Sequence, residues 1–155
     1  ERERARIDAY LHYHHRNIRE ASIGLVAPKI RKDLDIPELI QVSAKRNLTV
    51  ALNTFEKGYL ADNRFLMGAT VTLADLAAYV EIGQLQPQFT NVFDLTSFPN
   101  VGRWLNDMSE VEGHDDVHVV LKELGDISQV APDMGAIRNA NKQALRALKA
   151  KLATL

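Results

Sequence analysis

The chain has 155 residues, of which 46% are hydrophobic and 25% charged, and its formal net charge is −1. This length and composition are typical of one globular domain with a sizeable core, so we assign residues 1–155 to a single domain. The sequence contains no cysteine, which excludes disulfides and thiolate metal sites and favours a reducing compartment, so we expect a cytoplasmic protein. No apolar run reaches the length of a membrane span.

The charges are unevenly distributed along the chain. Residues 1–32 carry eight Lys/Arg and four Asp/Glu, residues 33–133 carry six and sixteen, and residues 134–155 carry five and none. Basic ends can indicate a nucleic-acid interface. Here the bases lack interleaved aromatic residues and the acidic middle would repel phosphate, so we predict no nucleic-acid partner.

The first two helices are predicted from hydrophobic periodicity. Residues 5–31 show one stripe at alternating steps of four and three, which indicates a long helix with His14 on its core face. Gly24 and Pro28 should weaken its end. A second helix is predicted from Pro37 to about Leu60, with this stripe on its buried face: Leu39, Val42, Lys45/Arg46, Thr49, Leu52, Phe55 and Tyr59.

A capped helix at the centre of the chain is the strongest local signal. Thr72 is a good N-cap, and Asp75 sits where a carboxylate can reach back to the amide of the cap, so the two predict a capping box. Val71 precedes the cap and Leu76 is the fourth helical residue, which predicts a hydrophobic staple. This helix should run from residue 73 to about 86.

Three further helices are predicted towards the C-terminus. Pro99 suits a first turn and opens an amphipathic helix with Trp104 on its apolar face. A short helix should end at Gly125, and a last helix should cover about residues 136–155. The last helix has an Ala-rich apolar face without Trp or Phe, which disfavours membrane binding. Strand signals are absent, so the predicted fold is an all-α bundle of about six helices.

Polar residues cluster on the first helix, where a metal or catalytic site was considered. Asp8, His12 and His15 have suitable spacing for a metal site but no fourth ligand, and the neighbouring arginines would oppose a cation, so no metal is predicted. No cysteine and no serine motif offers a nucleophile for a histidine base. No catalytic residue is therefore predicted in this chain.

Three motifs together resemble the C-terminal, all-helical domain of glutathione S-transferases: Phe65-Leu66-x-Gly68, Thr72-Leu73-Ala74-Asp75 and Phe98-Pro99-x-Val101-x-x-Trp104. The first helix, from Ala5-Arg-Ile-Asp8 to Ile18-Arg19, is similar to that of the theta class. The resemblance covers nearly the whole chain. It does not include the N-terminal thioredoxin-like domain of the family, for which this sequence has no counterpart.

The resemblance implies the helical half of a detoxifying enzyme that conjugates glutathione, its co-substrate, to small electrophiles. This half would line the electrophile pocket and part of a homodimer interface, and it would be inactive without the thioredoxin-like domain. The implied pocket residues lie on the first helix and are Arg19, His15, Ile23, His12 and Arg16. Arg19 would stabilise thiolate and developing negative charge.

A different function stays open from the same resemblance. The gamma subunit of the translation elongation complex and several aminoacyl-tRNA synthetases carry such domains as non-catalytic modules that bind protein partners. In the theta class a C-terminal extension folds over the active site, and the last helix of this chain could do the same or could simply cap the bundle. Arg19 and this theta-like last helix favour the enzyme. The missing first domain and the unusually basic first helix favour an interaction module.

Overall fold

The computed structural model describes residues 1–154, and this part of the chain contains helices and loops but no β-strand. The predicted all-α fold is therefore confirmed. The α-helices are α1 (Arg2–Asn17), α2 (Ala27–Ile30), α3 (Glu38–Thr54), α4 (Leu73–Ile82), α5 (Pro99–Ser109), α6 (His114–Val117), α7 (Val119–Leu124) and α8 (Met134–Leu152).

The six predicted helices correspond to these segments. The second continues beyond α3 as a π-helical turn at Phe55–Tyr59 and the third beyond α4 as a 3₁₀ turn at Gly83–Leu85, whereas the first and the fifth are interrupted. The predicted helix 5–31 consists of α1, a π-helical turn at Ser22–Val26 and α2, which has Pro28 in its first turn. Gly24 in the π-helical turn lies against α3, where an added Cβ would be 2.2 Å from the Cβ of Ala44. The predicted short helix is divided at His118 into α6 and α7.

The buried face of α3 differs from the predicted one. The two residues that open the predicted stripe are exposed, Leu39 at 79% and Val42 at 60%. The buried residues of α3 are Ala44, Leu48, Ala51 and Leu52, so the predicted stripe is wrong in the first half of the helix, whereas its later members Leu52 and Phe55 are buried as predicted. Leu39, Val42 and Val50 thus form an exposed row, which we call the α3 stripe.

The core is centred on Trp104, which is fully buried between Phe55 and Tyr79 in edge-to-face contacts. Tyr10 of α1 packs against Phe55 with ring centroids 6.0 Å apart. These aromatic contacts join α1, the π-helical turn after α3, α4 and α5 into one apolar cluster.

Two charged side chains connect α5 to the segment after α3. The carboxylate of Glu56 accepts hydrogen bonds from the backbone amides of Asn100 (3.0 Å) and Val101 (3.1 Å), which have no partner within their own helix. The guanidinium of Arg103 donates to the carbonyls of Leu60 (3.0 Å) and Asn63 (2.9 Å). Neither contact was predicted from the sequence.

The last helix begins two residues before its predicted start. Asp133 is the N-cap of α8, and its carboxylate accepts a hydrogen bond from the amide of Ala136 at 2.7 Å. The helix packs mainly on α7. Among the described residues of α8, Ala140 is the one that is buried. The predicted end at residue 155 lies outside the described residues.

Candidate functional site

The five predicted pocket residues lie on α1 and the turn after it, and the structure leaves all of them exposed. His12, His15 and Arg16 belong to the second half of α1, whereas Arg19 and Ile23 follow the end of that helix. Within residues 1–154, the side chains of the two arginines form no ion pair. The arrangement is an open cationic surface, which we call the α1 face, and it is not a closed pocket.

A buried polar pair lies beneath this face. The hydroxyl of Tyr10 and Nδ1 of His14 are 3.3 Å apart, and Tyr10 is almost fully buried. Burial raises the pKa of Tyr10, so the phenol keeps its proton. Burial also lowers the pKa of His14, and the charge of Arg19 lowers it further. His14 is therefore a neutral, hydrogen-bonded ring beneath the arginines of the α1 face.

The turn that carries Ile23 is fixed to α4 by a polar cluster. The hydroxyl of Ser22 donates to the carboxylate of Glu81, and the amide of Gln84 donates to the hydroxyl of Ser22. The side chain of Ser22 is therefore engaged with α4 and is not available on the α1 face. The contact sets the position of Ile23, whose side chain is 53% exposed beside the α1 face.

Asp75 of the predicted capping box accepts four hydrogen bonds. Its Oδ2 accepts hydrogen bonds from the amide and the hydroxyl of Thr72, each at 2.9 Å. Its Oδ1 accepts from the amide of Leu66 at 2.7 Å and from the indole nitrogen of Trp104 at 3.1 Å. The carboxylate is fully buried, so it joins three separate segments of the chain as well as capping α4.

The two residues of the predicted staple are both partly exposed. Val71 is just before the cap and Leu76 is in the first turn of α4. A packing contact between them therefore stays a prediction. The side chain of Leu76 instead lines a groove on the outer side of α4.

This groove was not predicted from the sequence. It has a volume of about 480 Å³ and lies between α4 and the chain from the end of α5 to His118. We call it the α4–α6 groove. Its lining is mainly apolar, and its residues are Leu76, Tyr79, Val80, Met108, Val111, Glu112, Gly113, His114, Val117 and His118.

Polar groups converge on one wall of the α4–α6 groove. The hydroxyl of Tyr79 is 2.9 Å from Nε2 of His114, whose Nδ1 is 3.1 Å from the carboxylate of Asp115. The rings of His114 and His118 stack with centroids 4.1 Å apart. The i, i+4 spacing of these histidines after Gly113 is the only sequence signal for the cluster, because Tyr79 is far away in the sequence.

The described chain lacks the features of a metal site and of a membrane span. Residues 1–154 contain no group of three or more His, Cys, Asp or Glu side chains arranged to hold a metal ion. None of the helices described for these residues is both long and apolar enough to cross a membrane.

Comparison with known proteins gives consistent matches. Residues 20–112 match the family described as "Glutathione S-transferase, C-terminal domain". Glutathione S-transferase theta-1 of Gallus gallus is 27% identical over 140 residues, which are 85% of this chain and 52% of that protein. Glutathione S-transferase T1 of Arabidopsis thaliana is 27% identical over 154 residues, which are 90% of this chain and 61% of that protein.

A solved structure has the same fold. The apo form of a mutant of human glutathione-S-transferase T1-1 superposes with a TM-score of 0.64 and 19% identity, covering 94% of this chain and 62% of that one. The chain thus spans about half the length of the theta-1 relative from Gallus gallus.

Proposed function

Because the chain belongs to the C-terminal domain family of glutathione S-transferases, we propose that it is the helical half of a theta-like glutathione S-transferase. In the complete protein, a thioredoxin-like domain would bind glutathione, the co-substrate, and this half would hold the small electrophile. The proposal is supported by the relatives, which match most of this chain although it covers only part of their length. A cytoplasmic location and a role in detoxification belong to the same proposal.

Arg19 is the residue of the α1 face that most directly supports this proposal. It is an exposed cation with no ion-pair partner in the described chain, and the apolar side chain of Ile23 follows it on the same surface. A guanidinium stays charged at any physiological pH and can stabilise a thiolate or a leaving anion. His12, His15 and Arg16 would complete the rim of the electrophile pocket.

The experiment is a conjugation assay on the protein purified from its natural source, after its intact mass has been measured. We expect a mass larger than that of this chain by one small domain, and glutathione conjugation with an electrophile panel that includes an alkyl halide and an epoxide. Arg19→Ala should lower kcat/KM at least tenfold, about 1.4 kcal/mol of transition-state stabilisation, and leave Tm unchanged.

The control replaces another exposed arginine, Arg2 in the first turn of α1, at the end of the helix far from the predicted pocket residues. Arg2→Ala should conserve both kcat/KM and Tm. If both arginine variants lose the same activity, or if Arg19→Ala loses activity and thermal stability together, the role of Arg19 in the pocket is wrong. A native mass equal to that of this chain, without conjugation activity, would refute the enzyme proposal.

The α3 stripe supports the dimer contact and also favours the second candidate, a non-catalytic interaction module. Exposed aliphatic side chains in a row are typical of a surface that another protein covers. We expect the double variant Leu39→Lys/Val42→Lys to lower the mass measured by light scattering from that of a dimer to that of a monomer. A monomeric parent protein that retains a specific partner through this stripe would support the interaction module instead.

A further inference from the structure

The α4–α6 groove is an apolar cavity with one polar wall, and it lies apart from the α1 face. Its volume of about 480 Å³ is within the range of small-molecule sites, about 300–1,000 Å³. Val80 and Val117 are among its apolar residues and are 67% and 64% exposed. An apolar ring placed against these side chains would remove their surface from water, which is favourable.

The hydrogen bond of His118 fixes which ring nitrogen carries the proton. Its Nδ1 is 2.6 Å from the carbonyl oxygen of His114, and a carbonyl can only accept, so Nδ1 is the donor. Burial lowers the pKa of His118, so the ring is neutral at pH 7. Nε2 then has a free lone pair and is an acceptor. No hydrogen-bond donor within residues 1–154 reaches it.

The other polar groups of the wall do not compete for this acceptor. The carboxylate of Asp115 accepts from Nδ1 of His114 and also contacts the ammonium of Lys122 at 2.7 Å. The hydroxyl of Tyr79 is 2.9 Å from Nε2 of His114, so these two groups are engaged with each other. Nε2 of His118 is therefore the acceptor of this wall that a ligand can use.

We propose that the α4–α6 groove binds a neutral aromatic molecule with one hydroxyl group, a phenol, whose O–H donates to Nε2 of His118. The aromatic ring lies against the apolar residues of α4 and the stacked imidazoles of His114 and His118. A ligand without a donor would leave the acceptor of His118 unpaired in a partly buried site, which is unfavourable. The proposal does not depend on the proposed glutathione chemistry, since the groove contains none of the predicted pocket residues.

The experiment compares two ligands of nearly the same shape by isothermal titration calorimetry. The probes are 1-naphthol and 1-methoxynaphthalene, which differ in the hydroxyl donor. We expect the 155-residue chain to bind 1-naphthol about tenfold more tightly, the factor that one hydrogen bond to a partly buried acceptor supplies. Equal affinity for the two probes, or no binding of 1-naphthol, would overturn the proposal without any mutation.

Three variants then locate the site. His118→Phe retains an aromatic ring but not the acceptor, so it should bind both probes with the same affinity. Val80→Trp should fill the groove and abolish binding of both. Val130→Trp, which adds the same indole to a 75% exposed valine outside the groove, should bind as the parent chain does. Each variant is first checked for an unchanged helical circular dichroism spectrum.

Two outcomes would assign the groove differently. Discrimination between the probes that persists in His118→Phe would show that His118 is not the acceptor, and the proposal would be wrong. A chain that self-associates, and whose association Val80→Trp abolishes, would mean that a second copy occupies the groove and would also overturn it.

Discussion

Replacing Asp75 by alanine should remove the acceptor of four hydrogen bonds at once. The amide of Leu66 and the indole of Trp104 are fully buried, and each buried donor left without a partner costs about 1–3 kcal/mol. Loss of the cap at Thr72 adds about 1 kcal/mol. Removal of a buried carboxylate also relieves its desolvation cost, which offsets part of the loss. We expect a net decrease in unfolding free energy of about 3 kcal/mol, a large fraction of the stability of an ordinary domain.

Urea unfolding followed by the fluorescence of Trp104, the only tryptophan of the chain, measures this loss directly. Asp94→Ala is the matched control, because this exposed carboxylate accepts hydrogen bonds only within its own turn, from Thr96. It should cost less than about 1 kcal/mol. If Asp75→Ala costs no more than Asp94→Ala, the carboxylate does not join the three segments and the reasoning is refuted. Asp75→Asn should fall between the two, since it retains one acceptor oxygen.

Two further predictions concern packing and pH. Gly24→Ala should destabilise the domain by about 1–3 kcal/mol, because the new methyl overlaps α3, whereas Gly58→Ala meets no neighbour and should leave the urea midpoint almost unchanged. The pKa values of His14 and His118 lie below the usual 6.5, so the unfolded chain binds protons more readily and the unfolding free energy should decrease as the pH falls below 6.5. The test is to compare the urea midpoint at about pH 7.5 with that at about pH 5.5, and to follow the histidine ring protons by NMR over the same range. Equal urea midpoints at the two pH values would contradict the prediction.

Local signals in the sequence were sufficient for most of the fold. The cap at Thr72 and the proline in the first turn of α5 each depend on a few neighbouring residues, and both helices begin there. The buried face was predicted wrongly only in the first half of α3, because Ala44 there gives a weak hydrophobic signal whereas the larger Leu39 is exposed.

The parts of the site that the sequence did not reveal depend on residues far apart in the chain. Tyr79 and His114 are 35 residues apart, and no periodicity connects them. Glu56 caps α5 from a position 44 residues before Asn100, whereas capping rules consider only the residues next to the helix. The cationic residues of the first helix were recognised because they lie within two helical turns, but the sequence alone could not show that their surface is open.

The two charged contacts between α5 and the segment after α3 affect how this family can diverge. Glu56 and Arg103 bind main-chain amides and carbonyls, including those of Leu60 and Asn63, and every residue type supplies a carbonyl. The side chains of the intervening loop can therefore drift over evolution without loss of the connection. An alignment of distant relatives should accordingly vary freely at positions 61 and 62 while an acid at 56 and a base at 103 persist together.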